Sequence, residues 1–180
     1  YTNHSSITVS WSGSDVETSI TQYEIKRNGT TVDTVSSSTT SYDVPLPSDG
    51  VWEIKIIAYD QNSNTNEDIV YVIRDTTPPT AQINAPNDGD YVKDQVTIQI
   101  YGYDQNFEKI ELYIDGVLKQ TWTTSGTHSY TWDTTTESDG DHTILVKAYD
   151  KAGNTAKESI TVHVDNTAPT AQINSPNDGD

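Results

Sequence analysis

The sequence contains no cysteine and no methionine. Lack of cysteine excludes a disulfide framework and thiolate metal sites, but it does not exclude secretion. No apolar run approaches the ~18 residues that a membrane-spanning helix needs. No stretch shows a convincing 3.6-residue period, so no helix longer than a turn is assigned. Basic residues are scarce, with 10 Lys and Arg against 27 Asp and Glu and a formal net charge of −17. Such a surface repels nucleic-acid phosphates and anionic lipid, suits cations, and also keeps a protein soluble. Nucleic acid and membrane insertion are therefore not expected. The four histidines, His4, His128, His142 and His163, are scattered without helical metal spacing, and no Gly-x-Ser-x-Gly elbow exists. No catalytic residue is assigned, and the chain is read as not an enzyme.

What is present is a repeat. The segment from Asp75 to Asp90 recurs, nearly unchanged, from Asp165 to Asp180, an offset of 90 residues, and Ala58-Tyr59-Asp60 returns at the same offset as Ala148-Tyr149-Asp150. The first copy of the motif runs into Tyr91, the second stops at Asp180, and the sequence starts at Tyr1. The end therefore reads into the beginning, as a unit repeated head to tail would. Tyr1 is not an initiator and no signal peptide is visible, so a mature fragment or an excerpt of a longer chain is expected.

Apolar residues alternate at period two nearly throughout: Ile7, Val9 and Trp11; Trp52, Ile54, Ile56 and Ala58; Val96, Ile98 and Ile100; Ile110, Leu112 and Ile114; Ile160, Val162 and Val164. This is the pattern of half-buried strands. Asn28-Gly29 and Asp115-Gly116 suit two-residue type I′ hairpins, which need positive φ at both central positions. Asp49-Gly50 and Asp139-Gly140 mark further turns. Several short strands per unit argue for β-sandwiches. The expected organisation is a first sandwich over 1–75, a second over 76–165, and a linker with a following strand over 166–180. The prolines of Asp75 to Pro79 stiffen the linker between the two sandwiches.

Thr8-Val9-Ser10-Trp11, Tyr23-Glu24-Ile25 and the run from Trp52 to Asp60 resemble a fibronectin type III sandwich. Trp52 departs from that pattern by standing where such modules more often carry the corner tyrosine. The second unit, with Tyr149-Asp150-Lys151-Ala152-Gly153-Asn154 and Val164-Asp165-Asn166-Thr167-Ala168-Pro169, is similar to the bacterial and archaeal Ig-like modules of surface proteins and secreted enzymes. The resemblance covers almost the whole chain and implies an all-β fold of two tandem Ig-like, fibronectin type III-like sandwiches, at the cell surface or outside the cell. It does not choose among the roles such modules take, which include spacer, adhesin and assembly unit.

In the second unit strand A is expected near Ala81 to Asn84, followed by B near Val96, C near Lys109, C′ near Leu118, E near His128, F near Thr143 and G near Ser159. The first unit starts directly before its B strand and shows no A strand. Ala171, Gln172, Ile173 and Asn174 form an A strand with no following sandwich to join. Two expectations follow. Each copy donates this strand to the next copy's first sandwich, or the 180 residues are one period of a longer array; an arbitrary boundary is the third reading.

In this topology the B–C loop, the F–G loop and the entering linker share one end. Asp104, Asp150 and Asp75 should therefore meet, and Asp15 and Asp60 take the same places in the first unit, with Asp165 of a preceding unit as their linker partner. Clustered carboxylates suit Ca²⁺, which takes six to eight hard oxygen ligands, and the Asp-Asn-Thr-Ala-Pro stretch is similar to the calcium-binding linkers of cadherins. The alternative is that these aspartates cap turns. The stretch Asp60 to Asn64 opens like an EF-hand loop but has Thr65 and Tyr71 where glycine and glutamate are needed.

Asn3 and Asn28 match the glycosylation sequon. Trp11 is expected in the first core, His163 facing solvent, and Trp122 and Trp132 either in the core or on a sugar-stacking platform. The functional expectation is a structural subunit or repeat of an extracellular filament, stalk or surface layer, with neighbouring copies of itself as partners. The alternatives are a polysaccharide-binding or spacer module of a secreted hydrolase, and an adhesin.

Overall fold

A computed structural model describes residues 1–175; the remainder of the expected 166–180 segment, from 176 on, lies outside the described residues. The chain is all-β. It divides into two compact units, Tyr1–Pro78 together with Asp150–Asn154, and Pro79–Tyr149 together with Thr155–Asp180.

The first unit contains β1 (Ser6–Ser10), β2 (Ile20–Arg27), β3 (Thr30–Ser36), β4 (Ser41–Pro45), β5 (Gly50–Asp60) and β6 (Thr65–Arg74). β1 and β4 form one sheet, and the other runs β3-β2-β5-β6. The β2–β3 hairpin turns at Asn28 and Gly29, whose φ values of 46° and 77° fit the type I′ geometry that this dipeptide favours. The side chain of Asn28 adds a bond of its own, accepting the N–H of Glu53 at 2.8 Å. Ile25, Val44, Leu46 and Ile54 form the buried centre. Trp11 packs against it, edge-on to Tyr23 with ring centroids 5.5 Å apart. Its indole N–H is buried without a hydrogen-bond partner among the described residues. Thr2 makes a parallel bridge to Arg74.

The second unit contains β7 (Thr80–Ala85), β8 (Tyr91–Val92), β9 (Gln95–Tyr103), β10 (Phe107–Ile114), β11 (Val117–Trp122), β12 (Gly126–Asp133), β13 (Gly140–Asp150) and β14 (Thr155–Val164). The sheets run β12-β9-β7 and β11-β10-β13-β14-β8. The inward positions of the period-two pattern build one core: Ile98, Ile100, Ile110, Leu112, Ile114, Ile144, Val146 and Val162 are all buried, and Trp132 joins them. Trp132 is thus core, whereas Trp122 packs only partly against it and stacks on His128, with centroids 5.1 Å apart.

Three features depart from the alternation. β8 is two residues long and pairs in parallel with β14 through Tyr91–His163 and Val92–Val164, too short for any periodicity to reveal. His163 does not simply face solvent: its Nδ1 meets the Asp141 carboxylate, and its ring lies 4.8 Å from that of Tyr91. Glu111, an outward position by phase, is buried. Lys109 Nζ donates to it at 2.6 Å and the Tyr113 hydroxyl donates at 2.6 Å. Burial pushes the Glu111 carboxyl up, but the bonds from Lys109 and Tyr113 outweigh it and hold the group below its ordinary value. The same carboxylate pushes the Tyr113 hydroxyl up to about 12.

Asp115, in the β10–β11 turn, ties that turn to β13: His142 Nδ1 lies 2.6 Å from its carboxylate, and the Thr143 N–H donates to it at 2.8 Å. Burial drives both groups toward neutrality, but for Asp115 the Thr143 N–H and His142 prevail and its pKa is lowered. For His142 the Ser138 carbonyl and the Asp115 carboxylate prevail and its pKa is raised. The carboxylate contribution is therefore present above the unfolded value of ~3.9 and is lost as pH falls through the lower folded value. The imidazolium contribution is complete below the unfolded value of ~6.5 and is lost as pH rises through the higher folded value. The expected result is a melting temperature that declines as pH rises past neutrality, a decline that His142→Gln flattens; an unchanged pH profile in that variant would refute the pairing.

Candidate functional site

The loops after the B and F strands use one device three times. Asp60 closes β5 and accepts the N–H groups of Asn62 and Asn64 on Oδ1, both at 2.8 Å, while the Asn64 amide donates to Oδ2 at 2.8 Å. Asp150 closes β13 in the same way, with Ala152 and Asn154 N–H at 2.9 and 2.8 Å and the Asn154 amide at 2.7 Å. The third instance is simpler: Asp104 follows β9 and accepts the Asn106 N–H at 2.6 Å. Each carboxylate thus spends part of its acceptor capacity on main-chain donors, as an Asx turn does, and retains lone pairs for another ligand.

The first unit shows what this geometry brings together. Asp15 accepts the N–H groups of Glu17 and Thr18 at 2.9 and 2.6 Å, and the Thr18 hydroxyl reaches Asp60 Oδ2 at 3.2 Å. Asp15 and Asp60 therefore face one shallow depression, lined also by Asn62 and Asn64. The backbone bond from Thr18 lowers the Asp15 pKa, while Asp60 acts against it as a like charge. The Asn64 amide lowers the Asp60 pKa. Both groups are ionised near neutrality, side by side.

Asp75 and Asp150 are held through one residue that motif reasoning missed. The Asn154 amide donates to the Asp75 carbonyl at 2.8 Å as well as to the Asp150 carboxylate, and its carbonyl oxygen accepts from Asn3 Nδ2 at 3.2 Å. The signal for it was the recurrence of Asp-x-x-x-Asn at Asp60–Asn64 and Asp150–Asn154. Asp150 is fully buried, and the donors to it named above are all neutral. Asp75 is also buried and accepts the Thr77 N–H at 3.0 Å. Asp165 repeats this bond to Thr167 at 3.2 Å in an exposed position. Of the sequon residues, Asn3 has its amide nitrogen engaged, and Asn28 is exposed at the hairpin tip.

The topology of the second sandwich puts its own loops at one pole. Thr80 pairs with Tyr103, so the strand entering the unit lies beside Asp104. The Asp115 N–H bonds the Thr143 carbonyl, so the end of β10 adjoins the start of β13 and the two strands run in opposite directions. Ala171, Gln172, Ile173 and Asn174 are exposed and form no strand within this single chain, with Ile173 at 85% exposure.

Residues 79–146 match the family model described as bacterial Ig domain, and residues 126–180 match that of the bacterial Ig-like domain (group 3). Among solved structures, the fibronectin(III)-like modules of Clostridium thermocellum CbhA are 17% identical, with 93% of this chain and 91% of that chain covered at a TM-score of 0.59. The endo-beta-1,4-mannanase of Thermotoga petrophila is 26% identical over 52% of this chain and 21% of its own, at a TM-score of 0.45. Comparison with curated proteins finds no match. The second sandwich is a bacterial Ig-like module, and the chain has the Ig-like, fibronectin type III-like fold. Domains of this kind are generally non-catalytic and typical of extracellular or surface proteins. No helix among the described residues is long and apolar enough to cross a membrane.

Proposed function

We propose that this chain is a non-catalytic structural repeat of an extracellular filament, stalk or surface layer, with neighbouring copies of itself as its partners, head to tail. One observation carries the reading. Thr170-Ala171-Gln172-Ile173-Asn174 is identical to Thr80-Ala81-Gln82-Ile83-Asn84, and the earlier copy is the β7 strand that begins a sandwich. A sequence that opens one module therefore stands again after that module ends, which is how an array propagates. Propagation proceeds by strand complementation between copies or by covalent continuity.

Calcium belongs to this reading. Asp75, Asp104 and Asp150 would supply hard carboxylate oxygens, as would Asp15 and Asp60 with Asp165 of a preceding unit. The donor chemistry fits: a fully buried Asp150 held by neutral donors gains from a cation. When bound, the ion would cancel carboxylate repulsion and bridge loop to linker.

A second reading, a polysaccharide-binding accessory module, has Trp122 stacked on His128 in its favour as a ring surface for sugars. Electron microscopy of the native material separates the two. Filaments or layers with an axial repeat of two sandwiches are expected, and monodisperse particles that bind glycans would replace the first reading with the second.

A further inference from the structure

The two sandwiches differ in the sheet that holds β1 or β9. In the second, β9 has a neighbour on each side, β12 and β7. In the first, the matching β1 pairs with β4 alone, and among the described residues nothing pairs with its other edge. The Leu46 N–H bonds the Ser5 carbonyl and the Trp11 N–H bonds the Thr40 carbonyl. Odd-numbered residues therefore turn their backbone groups to β4, and Thr8, Ser10 and Ser12 turn theirs to the open edge.

Beside that edge lies a groove of about 830 Å³, lined by Trp11, Gly13, Tyr23, Ile54, Ile56 and Ile69 among others. Its parts match those around β7 one by one. Gly102 in β9 lies under Ile110 and Phe107, with a Cβ there 3.0 and 3.1 Å from them. Gly13 lies under the corresponding Tyr23 and Ile20, at 2.5 and 2.8 Å. Ala81 pairs with Gly102 and Ile83 with Ile100, and both side chains pack on the second core. The Ile83 N–H donates to Glu158 of β14. Glu158 pairs with Val146, just as Asp68 of β6 pairs with Ile56, and Asp68 lines the groove. The first sandwich therefore holds an open edge, a glycine-floored groove with an apolar wall of Trp11, Ile54 and Ile56 beside polar Ser12, Asn66 and Glu67, and an acid at the position that receives an amide.

We propose that this groove is an acceptor site for Thr170–Asn174 of a second copy of this chain, which enters antiparallel to β1 with Ala171 opposite Gly13, Gln172 opposite Ser12 and Ile173 opposite Trp11. The occupant is identified by sequence, since this segment is identical to the strand that fills the equivalent place in the second sandwich, and here it is exposed and unpaired. Ile173 closes the groove over Ile54 and Ile56, the Ser12 backbone gains its pairing, and the Asp68 carboxylate accepts the Ile173 N–H. The contact is heterologous and does not close on two copies, so it extends. The inference deepens the array reading and rests on it.

Two variants of the 180-residue chain test it. Ile173→Asp removes the donor's anchor from an exposed segment and leaves both sandwiches intact. Ser12→Pro deletes a donor from the open edge, where proline is tolerated. Light scattering coupled to size exclusion should show the wild-type chain growing with concentration into multiples of 19.9 kDa, and each variant alone as a monomer. An equimolar mixture of the two should give a dimer and nothing larger, since only one acceptor and one donor survive. Assembly of Ile173→Asp equal to wild type, or a mixture that stays monomeric, would overturn the site. If such a mixture stays monomeric while the native material still forms filaments, strand exchange fails and the array reading stands; if the native material forms none, the array reading itself falls.

Discussion

Ile144→Ala lowers the stability of the second sandwich by about 2–5 kcal/mol, the range for emptying a buried branched side chain. Ile144 is completely buried in β13, the middle strand of the five-stranded sheet, and pairs with Ile160. It belongs to the buried cluster that also holds Leu112, Val146 and Val162. A lattice so filled relaxes little around a void, which places the cost in the upper part of that range. Ile25→Ala, in the first sandwich, falls at the lower end, because four residues form that buried centre against eleven in the other and the open groove lets neighbours shift. Urea unfolding of both variants, with unchanged slopes, measures the two losses. Equal losses would show that the groove side packs as firmly as the closed sandwich.

Asp150→Ala costs about 2–4 kcal/mol, because three N–H groups that point at one buried carboxylate lose their acceptor. Asp150→Asn separates the turn role from the cation role. It keeps an oxygen for the Ala152 and Asn154 N–H groups, so much of the hairpin survives, but it removes the charge. With the wild-type chain, millimolar calcium should raise the melting temperature and a chelator should reverse the rise. A site loaded at a hundred times its dissociation constant adds about 2.7 kcal/mol. In Asp150→Asn and Asp104→Asn the response to calcium should shrink, leaving only what the Asp15 and Asp60 set contributes. A response undiminished in both variants would leave these aspartates as turn caps alone.

Strand positions were legible because the cores are built at period two, so that Val96, Ile98 and Ile100 or Ile160, Val162 and Val164 announce both a strand and its inner face. Turns were legible where chemistry demands a backbone: Asn28-Gly29 and Asp115-Gly116 both adopt positive φ. Glu111 was not legible. Alternation marks a position as outward but does not say what lies over it, and here Lys109 and Tyr113 close over the carboxylate. The nearness of Asp15 and Asp60 followed from loop order, yet the Thr18 link between them depends on how the loop after β1 folds. Asn154 was signalled by the recurring Asp-x-x-x-Asn, but its links to Asn3 and Asp75 were hidden, because those residues are distant in the chain and share no pattern with it.

The disparity between the two cores has a consequence under tension. A sandwich with a small buried centre gives way at lower force than its more fully packed neighbour, so a pulled chain would lengthen first at Tyr1–Pro78. Released end to end at ~3.4 Å per residue, that stretch adds roughly 250 Å of slack. A string of such pairs would behave as alternating stiff and yielding links, absorbing a sudden tug by giving up one weak link at a time.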